Sequence, residues 1–182
     1  MKAISATLAL LLSLCSQMVV AADAPTLVGI DAEVWNGLSR TSWITQGDGA
    51  RVVYAIVDAN CSYSRELFKK VQGLANPDLV QVRWVPVGVL AGVAEDSRYK
   101  AAAAMKGGFK TFSFVMRGGA PVVKPSQAEY APVDSNADFL FHEIIKYSSK
   151  GVPKFIYVKE AGNEVRLFSG VPGQAELVKA LR

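Results

Sequence analysis

The pattern of apolar and polar positions divides the chain into short helices and strands. In some segments apolar residues recur three or four positions apart, which is the spacing of a helix with one buried face. In others they run without a break, as in a strand that is covered on both sides. The first pattern predicts helices over 32–44, 65–74, 95–105, 137–147 and 174–181. The second predicts strands over 52–57, 79–87, 155–158 and 165–168.

Glycine and proline mark the breaks between these segments. Gly107-Gly108 ends or interrupts the alanine-rich helix, and Gly162-Asn163 is typical of a hairpin turn between two strands. Residues 117–134 contain glycines and prolines throughout and are predicted to form a loop. Asp134 or Ser135 would then cap the helix that follows.

The order of the elements indicates an α/β domain with a central mixed sheet. Strands alternate with helices at first, which favours parallel pairing, and two consecutive strands near the end favour an antiparallel pair. The alanine-rich helix over 95–105 enters this order as a helical insertion. Hydrophobic residues make up 51% of the chain, which is enough to fill a core.

The first residues have the features of a secretory signal peptide. Lys2 supplies a positive charge, the apolar run from Ala6 to Leu14 is too short to span a bilayer, and Val20-Ala21-Ala22 is a small-residue cleavage pattern. A lipoprotein signal is the alternative because Cys15 lies at the end of the apolar run, but Leu14 is bulky where such a signal has a small residue. We therefore predict a signal peptide over 1–22 and a single domain over 23–182.

Charge and hydropathy argue against nucleic-acid binding and against a membrane span. The formal net charge is +4, and lysines and arginines are scattered instead of forming a basic stripe with interleaved aromatics, so we expect no nucleic-acid partner. Beyond the signal peptide no stretch approaches the ~20 apolar residues of a membrane span, so we expect a soluble exported protein.

Cys61 is the candidate for chemistry. The sequence has two cysteines, and Cys15 is lost with the predicted signal peptide, which leaves Cys61 unpaired in a compartment that is normally oxidising. It lies between the predicted strand over 52–57 and the predicted helix over 65–74. Backbone N–H groups and the dipole at a helix start stabilise a thiolate. The alternative is an inert, buried cysteine that acts as a small hydrophobic residue.

The chain resembles the periplasmic DsbC/DsbG-type thiol–disulfide isomerases, which have a thioredoxin fold. "VDANCSYS" is similar to their strand end and Cys-x-x-Cys motif, with Asp58 three residues before the thiol and Tyr63 before the second redox position. "GVPKFIYV" is similar to their cis-proline segment, with Pro153 as the proline. "VQVRWVPVGVLAG" and "GVPGQAELVKAL" are similar to the strand after the redox motif and to the closing helix.

This resemblance implies a fold, a location and a set of site residues. Residues 23–182 would form a thioredoxin-like catalytic domain in the periplasm, with no cofactor and no metal. Cys61 would be the catalytic residue, Ser62, Tyr63 and Ser64 would complete the active-site motif, and Val152 and Pro153 would bind substrate. A cis peptide bond before Pro153 would place that backbone beside Cys61.

Three departures from the family pattern bear on the mechanism. Ser64 replaces the second cysteine, Val152 stands where these isomerases usually have threonine, and the N-terminal dimerisation domain is missing, which predicts a monomer. Because serine forms no disulfide, Cys61 cannot store an internal disulfide as an oxidase does. Isomerisation and monothiol reduction of disulfides or sulfenic acids remain possible.

Two partner classes follow from this chemistry. Cysteine-containing exported proteins would be the substrates, and an external thiol or a partner reductase would regenerate Cys61. The alternative is a protein without catalysis, namely a thioredoxin-fold binding module that serves as a holdase chaperone or as a component of an envelope assembly.

Other residues admit two interpretations each. His142 could pair with Cys61 as in a cysteine protease, or it could face solvent on the predicted helix. Ser62 and Ser64 could be capping hydroxyls, and Tyr63 could line the substrate surface or pack inside. The tryptophans are predicted to fill the core; they are Trp35, Trp43 and Trp84.

Overall fold

The computed structural model describes residues 26–30, 32–159 and 164–182. Within these ranges six strands form one sheet: β1 (Thr26–Ile30), β2 (Ile44–Gln46), β3 (Arg51–Val57), β4 (Val80–Pro86), β5 (Lys154–Lys159) and β6 (Glu164–Ser169). The α-helices are α1 (Ala32–Leu38), α2 (Ser62–Leu74), α3 (Ala94–Met116), α4 (Gln127–Phe139) and α5 (Gln174–Leu181). A π-helical turn, Leu140–Ile144, and a 3-10 turn, Ile145–Tyr147, continue α4. The predicted signal peptide and the predicted turn at Gly162-Asn163 lie outside the described residues.

The topology of the sheet determines where the site can form. The strand order is β1-β6-β5-β3-β4-β2, with β3 and β4 parallel and every other pair antiparallel. Because β3 and β5 run in opposite directions, the carboxyl end of β3 meets the amino end of β5, where Ile56 pairs with Lys154. The residues that follow β3 and those that precede β5 therefore lie at the same end of the sheet.

Helices cover both faces of the sheet. Because successive strand residues point to opposite sides, each central strand contributes to a core on each face. On β3, Val53, Ala55 and Val57 join one core, and Tyr54 and Ile56 join the other. The first core includes apolar residues of α2, the second half of α3 and α5: Leu67, Phe68, Val71, Phe112, Val115, Met116, Leu177, Ala180 and Leu181. The second includes residues of α1 and of the turn after α4: Val34, Leu38, Leu140 and Ile144.

The predicted strands and the helices over 65–74 and 174–181 are confirmed, with ends shifted by a few residues at most. The predicted helix over 32–44 is wrong in its second half. The helix ends at Leu38, where the N–H and the hydroxyl of Thr41 both donate to the Leu38 carbonyl, at 3.1 and 2.8 Å. Ile44 instead begins β2 and pairs with Trp84. Neither β1 nor β2 was predicted.

The alanine-rich helix is longer than its pattern predicts. Gly108 interrupts it with φ 65° and ψ −160°, a conformation that glycine tolerates, and the helix then resumes as far as Met116. Its second half is anchored by Phe112 and Val115 in the first core.

The predicted loop over 117–134 is wrong from Gln127 onward, and neither Asp134 nor Ser135 caps a helix. Helix α4 begins after Ser126, whose backbone N–H and hydroxyl both donate to the Glu129 carboxylate. This pairing of the N-cap and N3 residues starts the helix despite Pro132, which lies inside it. In the part of the chain that the structure describes, no helix has the length and apolar character that a membrane crossing requires.

Candidate functional site

Cys61 is the N-cap residue of α2. Its backbone is extended, with φ −80° and ψ 122°, and its N–H donates to the Asp58 carbonyl at 3.0 Å, which turns the chain from β3 into the helix. The N–H groups of the first helical turn have no intrahelical acceptor and carry the positive end of the helix dipole. The cysteine is mostly buried, with 8% of its surface exposed.

The thiol of Cys61 lies against the segment that precedes β5. Its Sγ donates to the carbonyl oxygen of Val152 at 3.4 Å, and the Val152–Pro153 peptide bond is cis. Pro153 is buried, and its carbonyl accepts the N–H of Gly170 at 3.0 Å, which anchors the segment to the end of β6. The structure therefore brings together three of the predicted site residues from distant parts of the sequence.

The other members of the motif differ in position. Ser62 is exposed, and Tyr63 keeps 50% of its surface exposed beside the thiol, so Tyr63 does not pack inside. Ser64 is fully buried, and its Oγ accepts the backbone N–H of Asp58 at 3.2 Å. That N–H belongs to the end of the strand segment and not to the first turn of α2, so Ser64 stabilises the entry into the helix without capping it.

Asp58 connects the loop between β3 and α2, residues 58–61, which we call the thiol loop, to the loop after β4. Its side chain is fully buried, and its carboxylate accepts three backbone N–H groups: from Asn60 at 2.9 Å, Val89 at 3.0 Å and Leu90 at 3.1 Å. Because one carboxylate satisfies donors from both loops, it fixes the loop that carries Cys61 relative to the end of the sheet.

A polar cluster around Asn60 was not predicted from the sequence. The Asn60 side-chain amide donates to Asp96 Oδ2 at 2.8 Å and to Ser97 Oγ at 3.0 Å, and its carbonyl accepts from Lys100 Nζ at 2.7 Å. Lys100 also pairs with Asp96 at 2.7 Å. The hydrogen bonds from Lys100 and Asn60 lower the pKa of Asp96.

The cluster ties the residue before Cys61 to the first turns of α3. In the sequence Asp96, Ser97 and Lys100 form an ordinary polar helix face, so only the fold reveals that they meet Asn60.

The remaining candidates have structural positions. His142 is exposed and lines a polar pocket with Arg40 and Asp138, so the solvent-facing interpretation is confirmed. Trp84 is fully buried against Phe68 and Phe112, and the rings of Trp35 and Trp43 meet Tyr54 edge-on, so the prediction of packing is confirmed for all three tryptophans. Among the described residues no group of three or more His, Cys, Asp or Glu could hold a metal ion.

Sequence comparison finds a similarity to one type of redox protein. No protein-family model matches the chain. The chain is 34% identical over 73 residues to the thiol:disulfide interchange protein DsbG of Pseudomonas aeruginosa. The match covers 39% of this chain and 27% of the length of that relative. The predicted resemblance to DsbG-type proteins is therefore confirmed.

Structural comparison identifies the fold. A periplasmic thioredoxin-like protein from Salmonella enterica serovar Typhimurium superposes with a TM-score of 0.57 at 16% identity, over 82% of this chain and 96% of the other. A thioredoxin-like oxidoreductase from Silicibacter pomeroyi superposes with a TM-score of 0.59 at 21% identity, over 83% of this chain and 95% of the other. The catalytic domain of Proteus mirabilis ScsC superposes with a TM-score of 0.57 at 15% identity, over 81% of this chain and 94% of the other. The fold is thioredoxin-like, as predicted.

Proposed function

We propose that this protein carries out thiol–disulfide exchange in the periplasm through Cys61 as its only reacting thiol. The observation that carries the proposal is the position of Cys61 Sγ, at the amino end of α2 and 3.4 Å from the Val152 carbonyl beside Pro153. Thiol–disulfide exchange passes through sulfur anions, and the free N–H groups at a helix start stabilise negative charge on a sulfur that lies there. The similarity to DsbG over part of the chain supports the same chemistry.

In isomerisation the number of disulfides does not change. The Cys61 thiolate attacks one sulfur of a partner's disulfide, a mixed disulfide forms, and the other partner cysteine leaves as a thiolate. Another cysteine of the same partner then attacks the mixed disulfide, forms the rearranged disulfide and releases the Cys61 thiolate, whereas attack by the first leaving thiolate would only re-form the original disulfide. This cycle requires no second cysteine in the protein, so Ser64 is compatible with it.

In reduction an outside thiol supplies the electrons. A mixed disulfide on Cys61 arises from a partner's disulfide, or from a partner's sulfenic acid with loss of water. An external thiol then attacks it and releases the partner's thiol, and a second external thiol restores Cys61 and leaves as a disulfide. Glutathione or a partner reductase would fill this role.

The surroundings of Cys61 suggest how a partner approaches. Val152, whose carbonyl contacts Cys61 Sγ, is half-buried, and Tyr63, two residues after Cys61, is half-exposed. We propose that an extended partner segment pairs with the backbone at Val152 and Pro153 while its sulfur reaches Cys61. The partners would be exported proteins that contain cysteine.

Repair of scrambled disulfides tests the proposal. Wild-type protein and Cys61→Ala are compared on a scrambled substrate, and on insulin reduction, with glutathione supplied. Wild type should accelerate recovery or reduction, and Cys61→Ala should give the uncatalysed rate. Equal rates for the two proteins would show that Cys61 performs no exchange.

The second candidate is a binding module without catalysis, such as a holdase or an envelope-assembly component. The observation in its favour is Ser64, since a buried serine replaces the thiol that would complete a redox cycle. For such a module, Cys61→Ala should suppress aggregation of an unfolding client as well as wild type does. The rate of Cys61 alkylation against pH also separates the two, because a reactive thiol is alkylated well below the pH at which an ordinary thiol reacts.

The location and assembly state belong to the same proposal. The predicted signal peptide over 1–22 supports export, and cell fractionation should find the mature chain, 23–182, in the periplasm. We propose that it is a monomer, and light scattering at working concentration should give the mass of one chain. A stable dimer would contradict this part of the proposal.

A further inference from the structure

Two adjoining cavities run along α2 and the second half of α3. One, of about 580 Å³, is lined by Arg65 and Lys69 of α2 and by Met116, with Phe68 among its apolar lining. The other, of about 720 Å³, is lined by Phe109, Lys110, Phe114 and Val122. Arg117 lines both. We call the two cavities together the cationic groove.

Among the residues that the structure describes, the positive charges of the cationic groove have no acidic partner. Arg65, Lys69, Lys110 and Arg117 are exposed, and their side chains form no ion pair or hydrogen bond with any residue that the structure describes. Glu66 lies on the rim, but its carboxylate pairs with Lys70 at 2.9 Å. Surface lysines elsewhere do have carboxylate partners, among them Lys100, Lys146 and Lys179. The groove therefore combines a positive field with unused hydrogen-bond donors.

The same groove exposes large apolar side chains. Phe114 keeps 53% of its surface exposed and Val122 keeps 92%. Exposed apolar surface rimmed by polar residues is typical of an interaction site. A partner segment in which carboxylates alternate with apolar side chains would pair with the cations and would also cover Phe114 and Val122. The concave shape receives individual side chains, which favours a polypeptide over the flat surface of an anionic bilayer.

The groove comes within one helical turn of Cys61. The N–H of Arg65 donates to the Cys61 carbonyl at 3.1 Å, so Arg65 lies one turn beyond the cysteine. At 1.5 Å per residue, Arg65 and Lys69 lie about 6 and 12 Å along the helix from Cys61. The Arg65 guanidinium also lies beside Gly118, at the end of α3, where a Cβ would be 3.6 Å from Nη1. A chain held in the groove therefore extends from α3 toward the reacting sulfur.

We infer that the cationic groove binds a polypeptide segment in which acidic and apolar residues alternate, and that this segment belongs to the protein whose cysteine exchanges with Cys61. The inference rests on the proposed function for its second part only. Docking by itself requires no redox chemistry, so it can be measured without Cys61.

Fluorescence anisotropy with a defined peptide tests the docking. The probe is a labelled peptide that alternates leucine and glutamate, with a leucine and lysine peptide as its counterpart, and the protein is the mature chain carrying Cys61→Ala. The acidic peptide should bind and should bind more weakly in high salt, because exposed charge pairs are screened. The basic peptide should not bind.

Charge reversal locates the binding. Adding Lys69→Glu and Arg117→Glu should weaken the acidic peptide about tenfold, because two attractive contacts become repulsive. The matched control is Arg40→Glu with Lys159→Glu, which makes the same change in net charge at exposed positions away from the groove. The control should change the affinity by about twofold at most, since screening weakens distant charges. Phe114→Ser, which keeps all the cations, should weaken binding even in high salt.

Three outcomes would overturn the inference: no binding of the acidic peptide, equal weakening in the control, or groove-dependent binding only to vesicles of phosphatidylglycerol. None of these bears on exchange at Cys61, which the disulfide assays test separately. Conversely, if docking is found and Cys61→Ala repairs disulfides as well as wild type, the docking holds and the binding-module function replaces exchange.

Discussion

Ser64 is a buried residue whose hydroxyl supports the start of α2. It lies three residues after Cys61, where the predicted resemblance places a second redox cysteine, and it is buried with its Oγ accepting the Asp58 N–H. A buried hydroxyl with a hydrogen-bond partner costs little, so the start of α2 is stable with serine there. Serine at this position therefore supports the local structure and offers no second thiol.

Ser64→Cys should restore an internal disulfide. Positions three apart on a helix place their Cβ atoms about 5–6 Å apart, close enough for bridging with a small adjustment of the first turn. After treatment with oxidised glutathione, mass spectrometry should show Ser64→Cys with two hydrogens lost and no glutathione adduct. Wild type should retain glutathione on Cys61.

Ser62→Cys is the matched control, because it adds a thiol at an exposed neighbouring position. It should carry glutathione adducts instead of a bridge. Glutathione adducts on Ser64→Cys would mean that Ser64 does not occupy the position of a resolving thiol.

Residues of the site differ in how far the sequence could predict them. Cys61 was found because a lone cysteine between an apolar run and a helical pattern is a local signal. The contact of Cys61 with Val152 could be expected only from the family resemblance, because 91 residues separate the two. Asn60 and its partners on α3 gave no signal, because hydrogen bonds between distant polar residues leave no periodicity.

Lys154 follows Pro153 and is unusual because its amino group is buried. Only 1% of its surface is exposed, and its Nζ donates to the Ser149 carbonyl at 2.6 Å and to Ser169 Oγ at 2.8 Å. Burial lowers its pKa to about 8. Lys154 thereby ties the segment that carries Val152 to β6, at the cost of burying an ammonium group.

The free energy of unfolding should therefore rise with pH in mildly alkaline solution. Between pH 8 and the unfolded pKa of about 10.4, the unfolded chain binds a proton at Lys154 that the folded chain has released. Urea unfolding should show a gain of about 2 kcal/mol between about pH 8 and 9.5, and Lys154→Met should lose most of it. Tyr157 does not interfere, because burial and Glu176 raise its pKa above the ordinary value of 10. The same rise in Lys154→Met would contradict this assignment.

At the scale of elements, the helical layer over α3 and α4 departs most from its sequence pattern. Residues 107–132 include four glycines and three prolines, which by local rules end helices. Tertiary contacts override those rules, because Phe112 packs against Phe68 and Trp84. On α4, Asn136 exchanges hydrogen bonds with the backbone of Ser42 and also donates to the Pro86 carbonyl. Such long-range contacts are invisible to a window of neighbouring residues.

Alanine substitutions at two helical glycines should have opposite effects. Gly108 has φ 65° and ψ −160°, which an L residue rarely adopts, so Gly108→Ala should lower the free energy of unfolding by about 1–3 kcal/mol. Gly73 lies in α2 with open space around its Cα, so Gly73→Ala should raise it by about 0.4–1 kcal/mol. Chemical denaturation of both variants measures the difference. A stabilising Gly108→Ala would mean that α3 is not kinked in solution.

At the scale of the whole molecule, the sequence predicted the central strands better than the edges of the sheet. The apolar runs of β3 and β4 follow from burial on both faces, and the parallel start with an antiparallel end follows from the order of elements. By contrast, β2 is three residues long, and its pairing with β4 depends on contacts that no short pattern encodes. The predicted site residues are unaffected by these errors because they lie between β3 and α2 and directly before β5.

The absence of a resolving thiol has a consequence for the protein in the cell. The sequence provides Cys61 and, in the predicted signal peptide, Cys15, so a mixed disulfide on Cys61 can be released only by a thiol of the partner or by an outside thiol. Such complexes should persist longer than those of a two-cysteine enzyme.

Tagged wild-type protein, taken from cells after alkylation of free thiols, should run on a non-reducing gel with higher-mass species that disappear on reduction. Cys61→Ala should show none, and Ser64→Cys should show fewer, because its second thiol attacks the mixed disulfide. Higher-mass species that persist in Cys61→Ala would show that they do not depend on a disulfide of Cys61 and would contradict this prediction.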